Sequence, residues 1–240
     1  MNVLIVGGAG HVGSIIRPAL EQTYNCRYLD LKPVPGAEDR TFVGDVNDTE
    51  LVDQAVQDQN ALLYLAMGKS EPSTKHPGNT KASFDVNVCG FYQVLRQALK
   101  AGVRQVCMAS SLSVYKSLIN QDFAVDEQIP ADHWGPYGFS KRVAEFICQA
   151  AVQEYPDASI LALRLIHPQN EEGWAEFLNG DAKPRFRIRT GPEDTRRLFL
   201  KALEFNEPGC HILQATGDMT GERLPNHLVR EILGWEPQHQ

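Results

Sequence analysis

The stretch Asn2–Gly13, NVLIVGGAGHVG, decides the fold. Val3–Val6 is a continuous apolar run, the pattern of a strand buried on both faces. It leads without a spacer into a glycine-rich turn and then into a helical pattern over Val12–Gln22. Gly7, Gly10 and Gly13 stand at GxxGxxG spacing. The first suits a tight turn, the second lets the backbone approach a pyrophosphate, and the third lets helix pack against strand. Open N–H groups and the positive end of the helix attract phosphate. Gly7, Gly10, His11, Val12 and Gly13 are therefore expected to cradle a dinucleotide.

The next strand, Cys26–Leu31, carries Asp30 near its end. A carboxylate there accepts hydrogen bonds from both adenosine ribose hydroxyls and repels a 2′-phosphate, so NAD is expected as cofactor rather than NADP. Lys32 and Arg40 are the nearby cations that would serve NADP instead. Further out, strands are expected at Thr41–Val43, Ala61–Ala66, Arg104–Ala109, Ser159–Ile166 and His211–Ala215. Helices are expected at Asp48–Asp58, Lys81–Ala101, Tyr137–Tyr155, Pro192–Phe205 and Leu224–Leu233. Apolar strands alternating with helices predict an α/β chain, a Rossmann-type doubly wound parallel sheet. The periodicity is weak over 168–190. Residues 1–167 are assigned to the dinucleotide-binding region, and 168–240 to a small C-terminal substrate lobe that does not fold independently.

Bulk composition narrows the function classes. At 42% hydrophobic residues the 240-residue chain can bury a large core. The net charge of −7 and the lack of a basic stripe argue against nucleic acid. No apolar run approaches the roughly 20 residues that span a bilayer, and with no charged or apolar leader pattern before Val3 no signal peptide is expected. Five scattered cysteines with no CxxC pair argue against disulfides and against a metal site. A cytoplasmic location is expected.

Tyr137 and Lys141 in YGFSK lie four apart at a helix start, on one face. A neighbouring ammonium favours phenolate, which would let Tyr137 act as a base near neutral pH. Ser110 and Ser111 close the fifth strand, where α/β sheets place their ligands.

With these residues in hand, the chain resembles the extended short-chain dehydrogenase/reductase superfamily, in its NAD-dependent epimerase/dehydratase branch. The matching segments, in order, are GGAGHVG, Gly44-Asp45-Val46, Leu65-Ala66-Met67-Gly68, Asp85–Gly90, Ala109–Tyr115, YGFSK, Leu163-Arg164-Leu165 and LGWEP at 233–237. The resemblance implies that Tyr137 is the acid/base at the substrate oxygen. It implies that Lys141 holds the nicotinamide ribose and depresses the Tyr137 pKa, and that Ser111 hydrogen-bonds the reacting oxygen. Asp45 and Val46 would flank adenine, while Leu65, Ala66 and Met67, with Gly68, would line ribose and pyrophosphate. Ser110 belongs to the expected cofactor contacts. Asn87 either touches strand ends near the cofactor or is a structural amide. A homodimer is expected through the helices 81–101 and 137–155, although Phe84, Val88, Phe91 and Val94 suit a core equally well.

The layout is similar to that of uronate dehydrogenases, which oxidise the anomeric hydroxyl of a hexuronic acid to a lactone. Members acting on nucleotide-sugars carry a longer C-terminal lobe, so a small free sugar or sugar acid is the expected substrate. Ser70, Arg185 and Arg187, with Arg189, are candidate substrate contacts, because a carboxylate calls for a cation. Leu112 and His167-Pro168 depart from the uronate dehydrogenase pattern. Three functions are weighed: an NAD-dependent dehydrogenase, an epimerase or dehydratase with tightly held NAD, and a non-catalytic NAD sensor. The presence of Ser111, Tyr137 and Lys141 disfavours the last, and Leu112 disfavours a dehydratase.

Overall fold

The computed structural model describes residues 1–68, 80–116, 126–180 and 188–238. Seven parallel strands form one sheet: β1 (Asn2–Val6), β2 (Asn25–Asp30), β3 (Thr41–Val43), β4 (Ala61–Tyr64), β5 (Gln105–Ser111), β6 (Ser159–Leu165) and β7 (Gly209–Ala215). Their order is β3-β2-β1-β4-β5-β6-β7. The chain winds one way from β1 to β3 and the other way from β4 to β7. The crevice at the carboxyl ends of β1 and β4 is therefore the topological switch point, where such sheets take their ligands.

Helices α1 (His11–Thr23), α2 (Thr49–Ala55), α3 (Thr80–Phe84), α4 (Phe91–Lys100), α5 (Pro136–Glu154), α6 (Glu171–Leu178), α7 (Pro192–Glu204) and α8 (His227–Leu233) surround the sheet. Alternate strand residues feed two cores. Val3, Ile5, Leu63, Leu161 and Leu163 pack with Ile15, Ile16 and Leu20 of α1 and Leu198 and Phe199 of α7. Leu4, Val6, Leu62, Val106 and Met108 pack with Phe91, Val94 and Leu95 of α4 and Ala144 and Cys148 of α5. Covered faces on both sides explain why the strands read as unbroken apolar runs.

Three elements differ from expectation. The helix expected over Lys81–Ala101 is α3 and α4 joined by a π turn, Asp85–Gly90. Asn87 in that turn is buried, and a Cβ on Gly90 would strike the Val46 side chain. The weakly periodic stretch 168–190 holds α6, capped by the Asn170 side chain accepting from the Gly173 N–H at 3.0 Å. The last helix starts at His227, not Leu224. The Asp218 carboxylate accepts the N–H groups of Arg223 and Leu224, at 3.0 and 2.9 Å, and Pro225 has none to offer.

The C-terminal segment supplies the edge strand β7 and the helices α7 and α8. Its LGWEP run anchors the chain end. Gly234 takes φ +60 after α8, and buried Trp235 donates its indole N–H to the Asp194 carbonyl at 3.0 Å. The Asp194 carboxylate accepts the Gln238 N–H.

Candidate active site

The glycine loop is built from close contacts. Gly7 has φ +90, and a Cβ there would lie 2.5 Å from the Ala66 nitrogen on the loop after β4. A Cβ on Gly13 would lie 2.5 Å from the Gly8 carbonyl oxygen, which locks the first turn of α1 onto the loop. Gly10 differs: among the described residues an added Cβ would meet only the Gly7 oxygen, at 3.1 Å. Its exposed side is open space that a Cβ would begin to fill. Among the described residues no side chain caps α1, and no acidic residue stands in its first turn, so its leading N–H groups are available to an anion.

Asp30 turns its carboxylate to this loop and accepts the Ala9 N–H at 2.9 Å. Beside it Leu31 is 73% exposed, and Met67, after β4, is 53% exposed. Two large apolar side chains in water at the carboxyl edge of the sheet suit the faces of an adenine. Leu31 was not among the residues singled out in the sequence; its only signal there is an apolar residue directly after the acidic strand end. Asp45 accepts from the Asn47 backbone and side chain, each at 2.9 Å, and Val46 is buried against Gly90. Leu65 is buried and Ala66 half-buried beside Gly7. Val12 is half-buried. His11 is exposed, with its ring Nε2 donating to the Pro168 carbonyl at 2.7 Å across the crevice. Open cradle, free N–H groups, facing carboxylate and apolar wall together fit a dinucleotide.

Across the switch point, β5 and the start of α5 bring Ser111, Tyr137 and Lys141 together. Tyr137 is half-buried and hydrogen-bonded to the Ser111 side chain. The Ser111 Oγ also accepts the Ser113 N–H at 3.1 Å, capping the short turn Leu112–Val114. Lys141 is buried; its Nζ lies 6.0 Å from the Tyr137 ring centroid and donates to the Ala109 carbonyl at 2.7 Å. Burial pushes the Lys141 ammonium down to about 8, opposed first by the charge of Glu145. The expectation that Lys141 depresses Tyr137 does not describe the site without ligand. Burial pushes the phenol up, and the Ser111 hydrogen bond is the force that pulls it down.

Two more expected residues behave differently from the rest. Asn87 is the structural amide: its Oδ1 accepts the Gly68 N–H at 3.3 Å and its Nδ2 donates to Ser140 Oγ at 3.0 Å. Ser140 in turn donates to the Tyr137 carbonyl, so the π turn steadies the first turn of α5. Ser110, expected at the cofactor, instead buries its hydroxyl and donates it to Glu145 at 2.6 Å. Ser110 thus joins the buried Glu145–Arg164 pair, while Ser111 faces Tyr137 a turn and more away along α5. Ser70, Arg185 and Arg187 lie outside the described residues.

Residues 3–174 match the model of the NAD dependent epimerase/dehydratase family. Over 162 residues the chain is 30% identical to N-acetyl-alpha-D-glucosaminyl-diphospho-ditrans,octacis-undecaprenol 4-epimerase of Escherichia coli, covering 68% of this chain and 47% of that protein. Over 224 residues it is 23% identical to uronate dehydrogenase of Pseudomonas syringae pv. tomato, covering 90% of this chain and 74% of that one. A short-chain dehydrogenase/reductase superfamily protein of Agrobacterium tumefaciens, solved with bound NAD, shares the fold. Its TM-score is 0.80 at 22% identity, over 100% of this chain and 93% of that one. The chain spans about half the length of the first curated relatives it matches.

Proposed function

The chain belongs to the NAD dependent epimerase/dehydratase family, and from that premise we propose that it is a dehydrogenase oxidising a hydroxyl-bearing carbon of a sugar acid, in the sharpest form a hexuronate at its anomeric carbon. The observation that carries this reading is the joining of Ser111, Tyr137 and Lys141 at the carboxyl edge beside the open glycine cradle. Tyr137 Oη takes the proton of the substrate hydroxyl. Ser111 holds that same oxygen and pulls the phenol pKa down, while Lys141, on the same face of α5, would hold the nicotinamide ribose. NAD, when bound, supplies the hydride acceptor. Gly7, Gly10, His11, Val12 and Gly13 would hold its pyrophosphate, Asp30 the adenosine ribose, and Asp45, Val46, Leu65, Ala66 and Met67 the adenine side.

The sugar-acid reading is supported by the uronate dehydrogenase match, which runs through the C-terminal segment as well as the dinucleotide half. It is also supported by two basic side chains beyond β6. Arg189 is half-buried, donates to Gln169 at 3.1 Å and stacks over Phe177 at 5.1 Å. His167 stands beside it, its pKa lowered by burial and then by the Arg189 charge. With Ser70, Arg185 and Arg187 these are the proposed substrate contacts. A homodimer through the outer faces of α4 and α5, where Tyr92 and Phe146 are exposed, belongs to the same proposal.

The 30% match to a 4-epimerase favours a second reading, in which hydride leaves the sugar and returns to it. Incubation with NAD and a panel of sugars and hexuronates separates the two. Net NADH accumulation with a hexuronate supports the dehydrogenase; interconversion of sugar epimers without net NADH overturns it in favour of the epimerase.

A further inference from the structure

We propose that Glu145 is a positioning residue of the hydride-transfer site, acting through Ser110 and Lys141 rather than on substrate. Tyr137, Lys141 and Glu145 follow one another at four-residue steps and so line one face of α5. Each grips the end of β5. Tyr137 is bonded to Ser111, Lys141 Nζ donates to the Ala109 carbonyl at 2.7 Å, and Glu145 Oε1 accepts from Ser110 Oγ at 2.6 Å. Three successive residues of β5 are thus fixed to three successive turns of α5, with Ser110, Lys141 and Glu145 all buried.

Glu145 is itself held rigidly. Arg164, opposite Ser110 in the β5–β6 register, donates Nε to Glu145 Oε1 and Nη2 to Oε2, both at 2.8 Å. Both side chains are buried, 7% and 6% exposed. The remaining Arg164 terminal nitrogen donates to the Tyr115 hydroxyl, which donates to the Asp126 carbonyl at 2.7 Å. A forked, buried pair of this kind is stiff but stabilises little in net terms, so the structure gains position rather than free energy from it.

The same carboxylate sets the charge environment of Lys141. The groups around that ammonium are Tyr137, Glu145 and Cys148 on α5, with Cys107 of β5 and Cys210 of β7 behind Cys148. Arg164 of β6 stands on the far side of Glu145, and Tyr115 and Glu127 lie beyond Arg164. Glu145 is the foremost influence holding the Lys141 proton against burial. Without it the Lys141 ammonium is lost at lower pH.

This inference rests on the reading of Tyr137 and Lys141 as catalytic, and its test is read first without substrate or NAD. The Lys141 side chain is titrated by NMR in protein carrying 13Cε-lysine, the signal being assigned by its loss in Lys141→Met. Glu145→Gln keeps an acceptor for Ser110 and removes the charge. Glu145→Gln/Arg164→Gln removes both charges and covers the case in which a lone buried guanidinium prevents folding. In whichever variant folds, the Lys141 titration should fall by on the order of one pH unit. The alkaline limb of kcat should move down with it while the KM for NAD stays within about twofold. An unmoved Lys141 titration in a folded variant overturns the proposal. A moved titration in an enzyme that does not oxidise hexuronates leaves it standing and counts against the substrate reading alone.

Discussion

Lys141→Met should make the protein more stable near neutral pH while abolishing hydride transfer. The Lys141 ammonium is pushed by burial from its ordinary 10.5 to about 8. At about 1.36 kcal/mol for each tenfold change, holding that buried charge costs the fold about 3 kcal/mol at pH 7. Below pH 8 both states carry the proton and the full cost applies. Between pH 8 and 10.5 the folded state has released its proton and the unfolded state has not. The unfolded state then binds more protons, so stability rises with pH, and the cost shrinks by about 2.5 kcal/mol between pH 7 and pH 10. Methionine fills similar space without charge, but leaves the Ala109 carbonyl without its 2.7 Å partner, a loss of about 1 kcal/mol. The variant should therefore be more stable than wild type by about 2 kcal/mol at pH 7, and equal to it or slightly weaker at pH 10. Urea unfolding of both proteins at the two pH values measures this. A wild-type-to-variant difference that is the same at pH 7 and pH 10 refutes the reasoning, because a buried ammonium must leave that pH signature.

Three further outcomes are expected. Asp30→Ala removes the acceptor facing the glycine loop, and calorimetry should show NAD affinity falling about tenfold while NADP affinity is kept or improved; equal losses for both cofactors count against the ribose role. Gly13→Ala forces a Cβ to within 2.5 Å of the Gly8 oxygen, and should cost about 1–3 kcal/mol in urea unfolding together with a large loss of NAD affinity. Trp235→Ala empties a fully buried site against α7 and should cost about 3–5 kcal/mol in the same assay, with a folded variant of unchanged midpoint contradicting its anchoring role.

The dinucleotide half was legible in the sequence because its signals are local. The run Val3–Val6, the spacing of Gly7, Gly10 and Gly13 and the position of Asp30 each act within one βαβ unit. Strand β3 falls on Thr41–Val43 as expected, and Ser110 and Ser111 close β5. The juxtaposition of Ser111 with Tyr137 follows from the resemblance together with the helix period. What stayed hidden depends on tertiary contact. The π turn in the fourth helical stretch arises where Gly90 meets Val46 and where Asn87 turns inward, neither of which a heptad-like pattern records. Helix α6 spans eight residues with none of them buried, and its apolar stripe of Trp174, Phe177 and Leu178 covers a single turn, too short to stand out in the sequence, although Asn170 followed by Glu171 and Glu172 is a helix-start signal. The place of Ser110 and Ser111 at the end of β5 was readable in the sequence. The partner that claims Ser110 was not, because Glu145 and Arg164 come from different elements and meet only in the fold.

The most direct test of the central claim follows a labelled hydrogen. Wild-type protein and Tyr137→Phe are incubated with NAD and a hexuronate carrying deuterium at its anomeric carbon, and the label is traced by mass spectrometry. Deuterium should appear on the reduced cofactor in the wild type with a primary isotope effect, and Tyr137→Phe should bind NAD as tightly but transfer no label. Transfer by Tyr137→Phe at the wild-type rate, or label that never leaves the sugar, contradicts the central claim.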